Sequence, residues 1–190
     1  RIFDIFKANK RILLFLFEEG IIIMDKYVLE SIATFENLDA HFSEYFTPEI
    51  KTFLKGKPPP EYSRCLEELP DNFYELRRIG ENENHICNLI RNDSNKDFIS
   101  YVNRNDISLD AEIEMSIYET NPYLIKNYIN LIKYACFFGS SQIFNYLLLN
   151  KAKLNDFLWN FSIFSNNPKI INLLEDNHIE PKIGFCHITY

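Results

Sequence analysis

Apolar residues recur at helical spacing along most of the chain, and three stretches repeat one pattern. Windows of 25 residues that start at Ile86, Leu131 and Leu158 align without gaps. In the clearest window, LIKYACFFGSSQIFNYLLLNKAKLN, apolar residues fall at i, i+1, i+4 and i+5 in two successive segments. This spacing places them on one face of a helix. The sequence therefore predicts three helical hairpins, with repeats starting near 86, 131 and 158.

Turn signals and shared apolar columns mark the limits of each hairpin. Gly139 ends the first helix of the clearest window, and Ser140 or Ser141 can cap the second helix. Asn167 before Pro168 is an N-cap followed by proline at the first helical position. Because a single hairpin cannot bury its apolar face, we expect the hairpins to stack as a solenoid. The shared columns are Phe98, Ile143 and Ile170; Val102, Leu147 and Leu174; and Ile107, Ala152 and Ile179.

The spacing of the windows predicts an interruption and a continuation of the array. The last two windows are 27 residues apart, which places a truncated fourth repeat near Phe185. The first two windows are 45 residues apart, so about 18 extra residues lie between them. We expect a short helix at 111–118 and a turn at Asn121 and Pro122 within this insertion. The chain begins at Arg1, so we expect a fragment of a longer protein.

The N-terminal part carries a weaker copy of the second-helix pattern. Residues 10–21 match that pattern, with Ile12 in the column of Ile143. Further helices are predicted at 26–35 and 48–54.

Three consecutive prolines separate this part from the repeats. Prolines at 58–60 exclude a helix or a central strand, so 56–60 is predicted to be a linker. Short helices at 66–69 and 72–79 then lead into the first window. The predicted fold is an all-α solenoid of degenerate helical hairpins. It is organised as an N-terminal helical segment with a partial repeat at 1–55, the Pro-rich linker at 56–60, and repeats at 61–190.

Charge and cysteine usage limit the classes of function. A net charge of −7 and a pI of about 5.2 give no basic surface for nucleic acid or an anionic membrane. The longest apolar run, residues 12–17, is six residues long, against roughly 20 for a membrane-spanning helix. The four cysteines have no short-spaced pair, which indicates free thiols of an intracellular, cytoplasmic protein.

Few residues are spaced for catalysis or metal binding. His85 and Cys87 are two residues apart and Cys186 and His187 are adjacent, whereas zinc sites usually need two pairs at suitable spacing. Cys87, Cys136 and Cys186 are therefore interpreted as small core residues. No glycine-rich phosphate loop, nucleophile elbow or HExxH motif is present. We expect no enzyme, cofactor or metal; a cysteine–histidine pair that meets only in space stays open as an alternative.

The window from Leu131 resembles an ankyrin repeat. Residues 134–139, YACFFG, stand where ankyrin repeats have leucine-alanine-alanine, two variable positions and glycine, and 142–152 stand in the second-helix place. The chain resembles more closely DUF3447, an ankyrin-like domain family of unknown function found in protists such as trichomonads. PDNFYELRRIG at 70–80 and YFTPEI at 45–50 carry this likeness, which extends over nearly the whole chain. It implies a fold, but no catalytic residue and no established ligand.

Two departures from ankyrin repeats affect the expected binding surface. The threonine-proline-leucine-histidine turn is missing, since residues 130–133 are NLIK. The repeats recur at 27 residues, against roughly 33 in ankyrin repeats. The missing residues come from the projecting loops, so we expect these finger loops to be short or absent.

The resemblance also implies a location for a binding surface. In ankyrin-type repeats, the two positions before the glycine commonly face the concave surface. We expect a protein partner to bind there, with an architectural spacer in a longer array as the alternative. A second alternative is that the next repeat packs over the two positions before the glycine. We favour this packing for Phe137 and partner binding for Phe138. The predicted partner-binding residues are Phe137 and Phe138 with the aligned pairs Asn92 and Asp93, and Phe164 and Ser165.

Overall fold

The computed structural model describes residues 1–35, 41–55, 68–125, 127–154 and 157–180. Over these ranges the chain is all-α, as predicted, with one isolated β-bridge and no strand. The thirteen helices within these ranges are α1 (Ile2–Phe6), α2 (Lys10–Glu18), α3 (Lys26–Phe35), α4 (Phe42–Tyr45), α5 (Thr47–Leu54), α6 (Phe73–Ile79), α7 (His85–Arg91), α8 (Asn95–Arg104), α9 (Pro122–Ile125), α10 (Leu131–Phe138), α11 (Ser141–Leu149), α12 (Leu158–Ser162) and α13 (Pro168–Asp176).

The chain forms two compact units. We call residues Arg1–Glu83 with Met115–Asn127 the N-terminal unit, and residues Asn84–Glu114 with Tyr128–Tyr190 the hairpin unit. The helices predicted near 26–35, 48–54 and 72–79 are confirmed as α3, α5 and α6. The predicted linker at 56–60 and the predicted repeat near Phe185 lie outside the described residues, as does the first half of the helix expected at 66–69.

The core of the N-terminal unit is formed by the apolar faces of α1 to α5. The sequence placed Ile12 in the column of the buried Ile143. The Ile12 side chain is instead 36% exposed, and the neighbouring Leu13 is buried. The buried core residues are Phe3, Leu13, Leu14, Leu16, Val28, Leu29, Ile32, Phe42, Tyr45, Phe46 and Ile50.

The 18 extra residues do not form the helix predicted at 111–118, so that prediction was wrong. The backbone at 111–113 is extended, because Ile113 N donates to Ile129 O at 2.7 Å and Leu131 N donates to Ala111 O at 3.2 Å. Backbone groups used in this pairing are not available for helical hydrogen bonds. The following residues, Met115–Asn127, belong to the N-terminal unit, and we call them the strap.

Polar side chains hold the strap within the N-terminal unit. Lys10 is fully buried, and its Nζ donates to Ile117 O at 3.2 Å and Glu119 O at 3.4 Å. The Oγ1 and backbone N of Thr120 both donate to Gly80 O, at 2.8 and 3.2 Å. These hydrogen bonds satisfy polar groups of the strap that burial removes from water.

Two buried cations lie beside one aromatic ring in the same unit. Lys10 Nζ is 5.3 Å and Arg77 Cζ is 5.0 Å from the ring centroid of Tyr45. Arg77 Nη2 also donates to Glu49 Oε2 at 2.8 Å. Burial raises the pKa of Tyr45 to about 12, because desolvation outweighs the opposing charge of Arg77. The Tyr45 hydroxyl is therefore neutral at physiological pH.

Replacement of Lys10 should loosen the strap. Lys10→Met keeps most of the side-chain volume but leaves two strap carbonyls without their ammonium donor, at a cost of about 1–3 kcal/mol. We expect amide hydrogen exchange at residues 116–120 to accelerate about tenfold to a hundredfold. Lys26→Met is the control, since the Lys26 side chain is 86% exposed. Unchanged exchange at 116–120 in the Lys10 variant would show that the ammonium does not hold the strap.

The hairpin unit contains three helix pairs in sequence order. α7 packs on α8, α10 on α11, and α12 on α13. The first helices α7, α10 and α12 contact one another in that order, and so do the second helices α8, α11 and α13. The three predicted hairpins are thus confirmed, and each packs on the next.

The second helix of each hairpin ends in the same hydrogen-bonded motif. The third residue after the helix donates its backbone N–H to the carbonyl of the residue five positions earlier in the chain. The second residue after the helix has a positive φ. Both features are those of a Schellman motif. The N–H to O pairs are Ile107 to Val102, Ala152 to Leu147, and Ile179 to Leu174, each at 3.0 Å. These are the apolar columns that the sequence predicted. The residues with positive φ are Asp106, Lys151 and His178.

The turn between the two helices of the first hairpin lies one residue earlier than the gap-free alignment of the windows placed it. Asp93, Gly139 and Asn166 have positive φ two residues before α8, α11 and α13 begin, so Asp93 is the equivalent of Gly139. The alignment had paired Ser94 with Gly139. The shift arises because α8 has 10 residues whereas α11 and α13 have 9. Asp is tolerated in the left-handed region, so no glycine marks this turn.

Candidate partner-binding surface

A row of aromatic side chains runs across the ends of the first helices in the hairpin unit. We call Arg91, Tyr134, Phe137, Phe138 and Phe164 the aromatic row. The rings of Tyr134 and Phe138 are 4.7 Å apart, and those of Phe137 and Phe138 are 5.1 Å apart. Phe137 stacks on Phe164 at 5.1 Å with an interplanar angle of 26°. The row therefore joins all three hairpins through continuous side-chain contact.

Arg91 forms the end of the row on the first hairpin. Its Nη1 donates to the hydroxyl oxygen of Tyr134 at 2.7 Å, and its Cζ lies 6.0 Å from the ring centroid of Phe138. A guanidinium at this distance is attracted to the face of an aromatic ring. Arg91 is therefore held in place by the aromatic residues of the second hairpin.

Exposure differs along the row. Tyr134 and Phe137 are 1% and 8% exposed, Phe138 is half-buried, and Phe164 is 47% exposed. The third hairpin covers Phe137, which is the arrangement expected if the next repeat packs over that residue. Next to Phe164, Ile163 is 76% exposed. The accessible part of the row is thus formed by Phe138 and Phe164.

The other predicted binding residues lie at the same turns and form local hydrogen bonds. The carboxylate of Asp93 accepts from the backbone N of Gln142 at 3.1 Å and of Ile143 at 3.0 Å, which caps the start of α11. Asn92 is exposed, and its Nδ2 donates to Asn88 O at 3.0 Å. Ser165 Oγ donates to Ser162 O at 2.7 Å. Of these residues, Asp93 has a clear part in holding adjacent hairpins together.

Sequence reasoning missed Arg91 and Tyr134 as parts of this surface. Arg91 is the structural equivalent of Phe137 and Phe164, because each lies two residues before the left-handed position. The one-residue shift in the alignment concealed this equivalence. The Asn-Asp-Ser sequence after Arg91 was the available signal, because Asn and Asp adopt left-handed conformations more readily than most residues.

Cys87 and Cys136 are both buried as thiols rather than joined in a disulfide. Burial raises the pKa of Cys136 to about 12, and its Sγ donates to Leu158 O at 3.3 Å. In the part of the chain that the structure describes, no three His, Cys, Asp or Glu residues are grouped so as to hold a metal ion. Cys65, Cys186 and His187 lie outside that part.

Cys136 should resist thiol reagents in the folded protein. With a pKa of about 12, the thiolate fraction at pH 8 is on the order of one in ten thousand. We expect iodoacetamide to leave Cys136 unmodified under native conditions and to modify it fully in urea, as measured by peptide mass spectrometry. Rapid native modification of Cys136 would contradict its burial.

Within the described ranges, no helix is both long enough and apolar enough to cross a bilayer. Comparison of the chain with family models, curated proteins and solved structures finds no match in any of the three.

Proposed function

We propose that the hairpin unit is a protein-interaction module of ankyrin-like repeats that binds a partner protein on its aromatic row. The observation that carries this proposal is the exposed end of the row, where Phe164 is 47% exposed and its neighbour in sequence, Ile163, is 76% exposed. Contiguous exposed apolar side chains on a folded surface are typical of binding sites. Aromatic side chains in particular supply much of the binding energy of protein interfaces.

The arrangement of the hairpins supports the ankyrin-like part of the proposal. Three helix pairs pack in order, and their second helices end in one repeated motif. The β-bridge between Glu112 and Asn130 lies between the first and second hairpins, where an ankyrin array would place a finger loop. We also propose membership of the DUF3447 family, on the sequence likeness at 45–50 and 70–80.

The proposed function includes no catalytic step and no cofactor. An architectural spacer is the alternative, and it predicts a uniformly polar surface on the first helices. The exposure of Phe138, Ile163 and Phe164 favours binding over this alternative.

The test compares the native chain with two variants as affinity baits in a lysate of the source cells. Phe164→Ser removes an exposed ring of the aromatic row. Leu149→Ser is the matched control, because Leu149 is 73% exposed but lies at the end of a second helix. We expect one or more proteins to be retained by the native chain and by the control, and lost with Phe164→Ser. Circular dichroism melts should first establish that both variants fold.

Equal retention by all three baits would show that the partner binds elsewhere. If no protein is retained above background by the native chain, the spacer alternative is supported.

A further inference from the structure

The helix α2 has the form of the second helix of a hairpin, but one of its core positions is open to solvent. It ends in the same Schellman motif, because Ile21 N donates to Leu16 O at 2.9 Å and the preceding Gly20 has a φ of 65°. The residues that stand at the position of Ile12 in the three hairpins are fully buried, namely Phe98, Ile143 and Ile170. Ile12 itself is exposed. This side of α2 is therefore open where the other second helices are covered.

Three further exposed side chains form a stripe along α2. Arg11, Phe15 and Glu18 are four and three residues apart, so they lie on one face of the helix, with Ile12 beside them. The side chain of Phe15 is 55% exposed. Among the described residues, no side chain forms an ion pair with Arg11 or Glu18. We call Arg11, Phe15 and Glu18 the α2 stripe.

Both charges of the α2 stripe stand at the end of the helix where its dipole disfavours them. Arg11 is in the first turn and Glu18 is the last helical residue, whereas a helix is stabilised by anions at its start and by cations at its end. Seven residues separate Arg11 from Glu18, which is roughly 10 Å along the axis, so they do not pair with each other. The stability of α2 alone therefore does not explain this arrangement of charges.

We propose that the α2 stripe is the contact between two copies of this chain, whose α2 helices pack antiparallel about a two-fold axis. An axis midway between Arg11 and Glu18 places Arg11 of each copy beside Glu18 of the other, so two ion pairs form. It also places the two Phe15 rings against each other, because Phe15 lies next to this midpoint. A two-fold contact uses the same surface patch on both subunits, and the α2 stripe satisfies this condition. The inference concerns the N-terminal unit and does not depend on the aromatic row.

The charges of the α2 stripe favour an antiparallel second copy over a parallel one. A parallel pair of α2 helices would place like charges opposite each other, Arg11 against Arg11 and Glu18 against Glu18. Like charges in contact oppose association, whereas the antiparallel pair has opposite charges at both ends. The net charge of −7 on each chain opposes association only weakly, because charges more than about 8 Å apart are largely screened at physiological ionic strength. A second copy therefore supplies both complementary charges, and the exposed ring between them, by symmetry alone.

Sedimentation velocity of the native chain over a series of concentrations tests the contact. We expect a reversible dimer with a Kd on the order of 10–100 µM, since one short helix from each copy forms a small contact of the transient kind. Phe15→Ser removes the apolar centre of the contact and should raise Kd at least about tenfold. Because Phe15 is exposed, circular dichroism melts of this variant should match those of the native chain.

Charge reversal supplies a result that misfolding cannot produce. Arg11→Glu places two pairs of carboxylates in contact, and Glu18→Arg places two pairs of guanidinium groups in contact, so each variant alone should raise Kd at least about tenfold. An equimolar mixture of the two variants restores opposite charges at both positions. We expect this mixture to form a heterodimer with a Kd within about threefold of the native value, detected with a fluorophore on one variant. The double variant should likewise dimerise as the native chain does.

The last helix of the hairpin unit provides a matched control. In α13, Lys169 and Asp176 are exposed and stand seven residues apart, but Leu173, at the position of Phe15, is half-buried. Lys169→Glu and Asp176→Lys should therefore each change Kd by no more than about twofold. Loss of the dimer in these variants would place the contact on α13 and overturn the inference.

Three other results would also contradict a two-fold contact through α2. A native chain that stays monomeric over the whole series would overturn the inference, and the face would then belong to another occupant, such as a different protein. A dimer that tolerates both charge reversals would overturn it as well, because the contact would then lie elsewhere. Two charge variants that stay monomeric when mixed would show that the charges do not pair across a two-fold axis.

Discussion

Leu147→Ala should lower the free energy of unfolding by about 2–5 kcal/mol, because removal of a buried leucine side chain leaves a cavity. Leu147 is 0% exposed and lies in α11, which contacts both α8 and α13. The cavity would therefore form where three second helices pack. Urea denaturation followed by circular dichroism measures the change.

Leu149→Ala provides the comparison within the same helix. Leu149 is 73% exposed, so its truncation should change stability by less than about 0.5 kcal/mol. If Leu147→Ala also costs less than about 0.5 kcal/mol, the stacking of successive hairpins on this column is incorrect.

Gly139→Ala should be nearly as damaging, by a different mechanism. Gly139 has a φ of 70°, and a Cβ atom built there would lie 2.8 Å from Ser165 O and 3.0 Å from Asn167 Cβ. Asn167 Nδ2 also donates to Gly139 O at 2.6 Å, so displacement of this turn strains a hydrogen bond between hairpins. A left-handed alanine alone costs about 1–2 kcal/mol, and the strained bond adds about 1 kcal/mol. We expect a total loss of about 2–3 kcal/mol, measured by thermal or urea unfolding.

Gly20→Ala separates the backbone conformation from the close contact. Gly20 has a φ of 65°, and a Cβ atom added there would meet no heavy atom within 4 Å beyond its chain neighbours. Its substitution should cost only the left-handed conformation, about 1–2 kcal/mol. Equal effects of the two substitutions would mean that the turn at Ser165 moves aside freely, and that Gly139 is needed only for its φ.

The hairpins could be predicted because their determinants are local. Helical periodicity, the Gly139 stop and the Asn167-Pro168 start all act within a few residues. The columns of Leu147 and Leu174 followed from that periodicity, and both residues are 0% exposed. Phe137 and Phe138 could likewise be placed at the end of a first helix, beside the glycine that ends it.

The register of the first hairpin could not be predicted from local pattern alone. Asp93 takes the left-handed conformation that Gly139 has in the second hairpin, and its carboxylate is satisfied by amides of Gln142 and Ile143. This stabilisation comes from residues about 50 positions away in the chain. The membership of Arg91 in the aromatic row also depends on long-range contacts, in this case with Tyr134 and Phe138.

The sequence by itself determined the all-α class and the paired helices, because periodic burial and capping are short-range effects. Only the tertiary structure decided the conformation of the 18 extra residues and the environment of Lys10. A lysine in the first turn of a helix is ordinarily solvated, yet Lys10 is 0% exposed and donates to carbonyls of the strap more than 100 residues later. Every residue carries a backbone carbonyl, so the pattern of side chains does not show which carbonyls accept hydrogen bonds from Lys10.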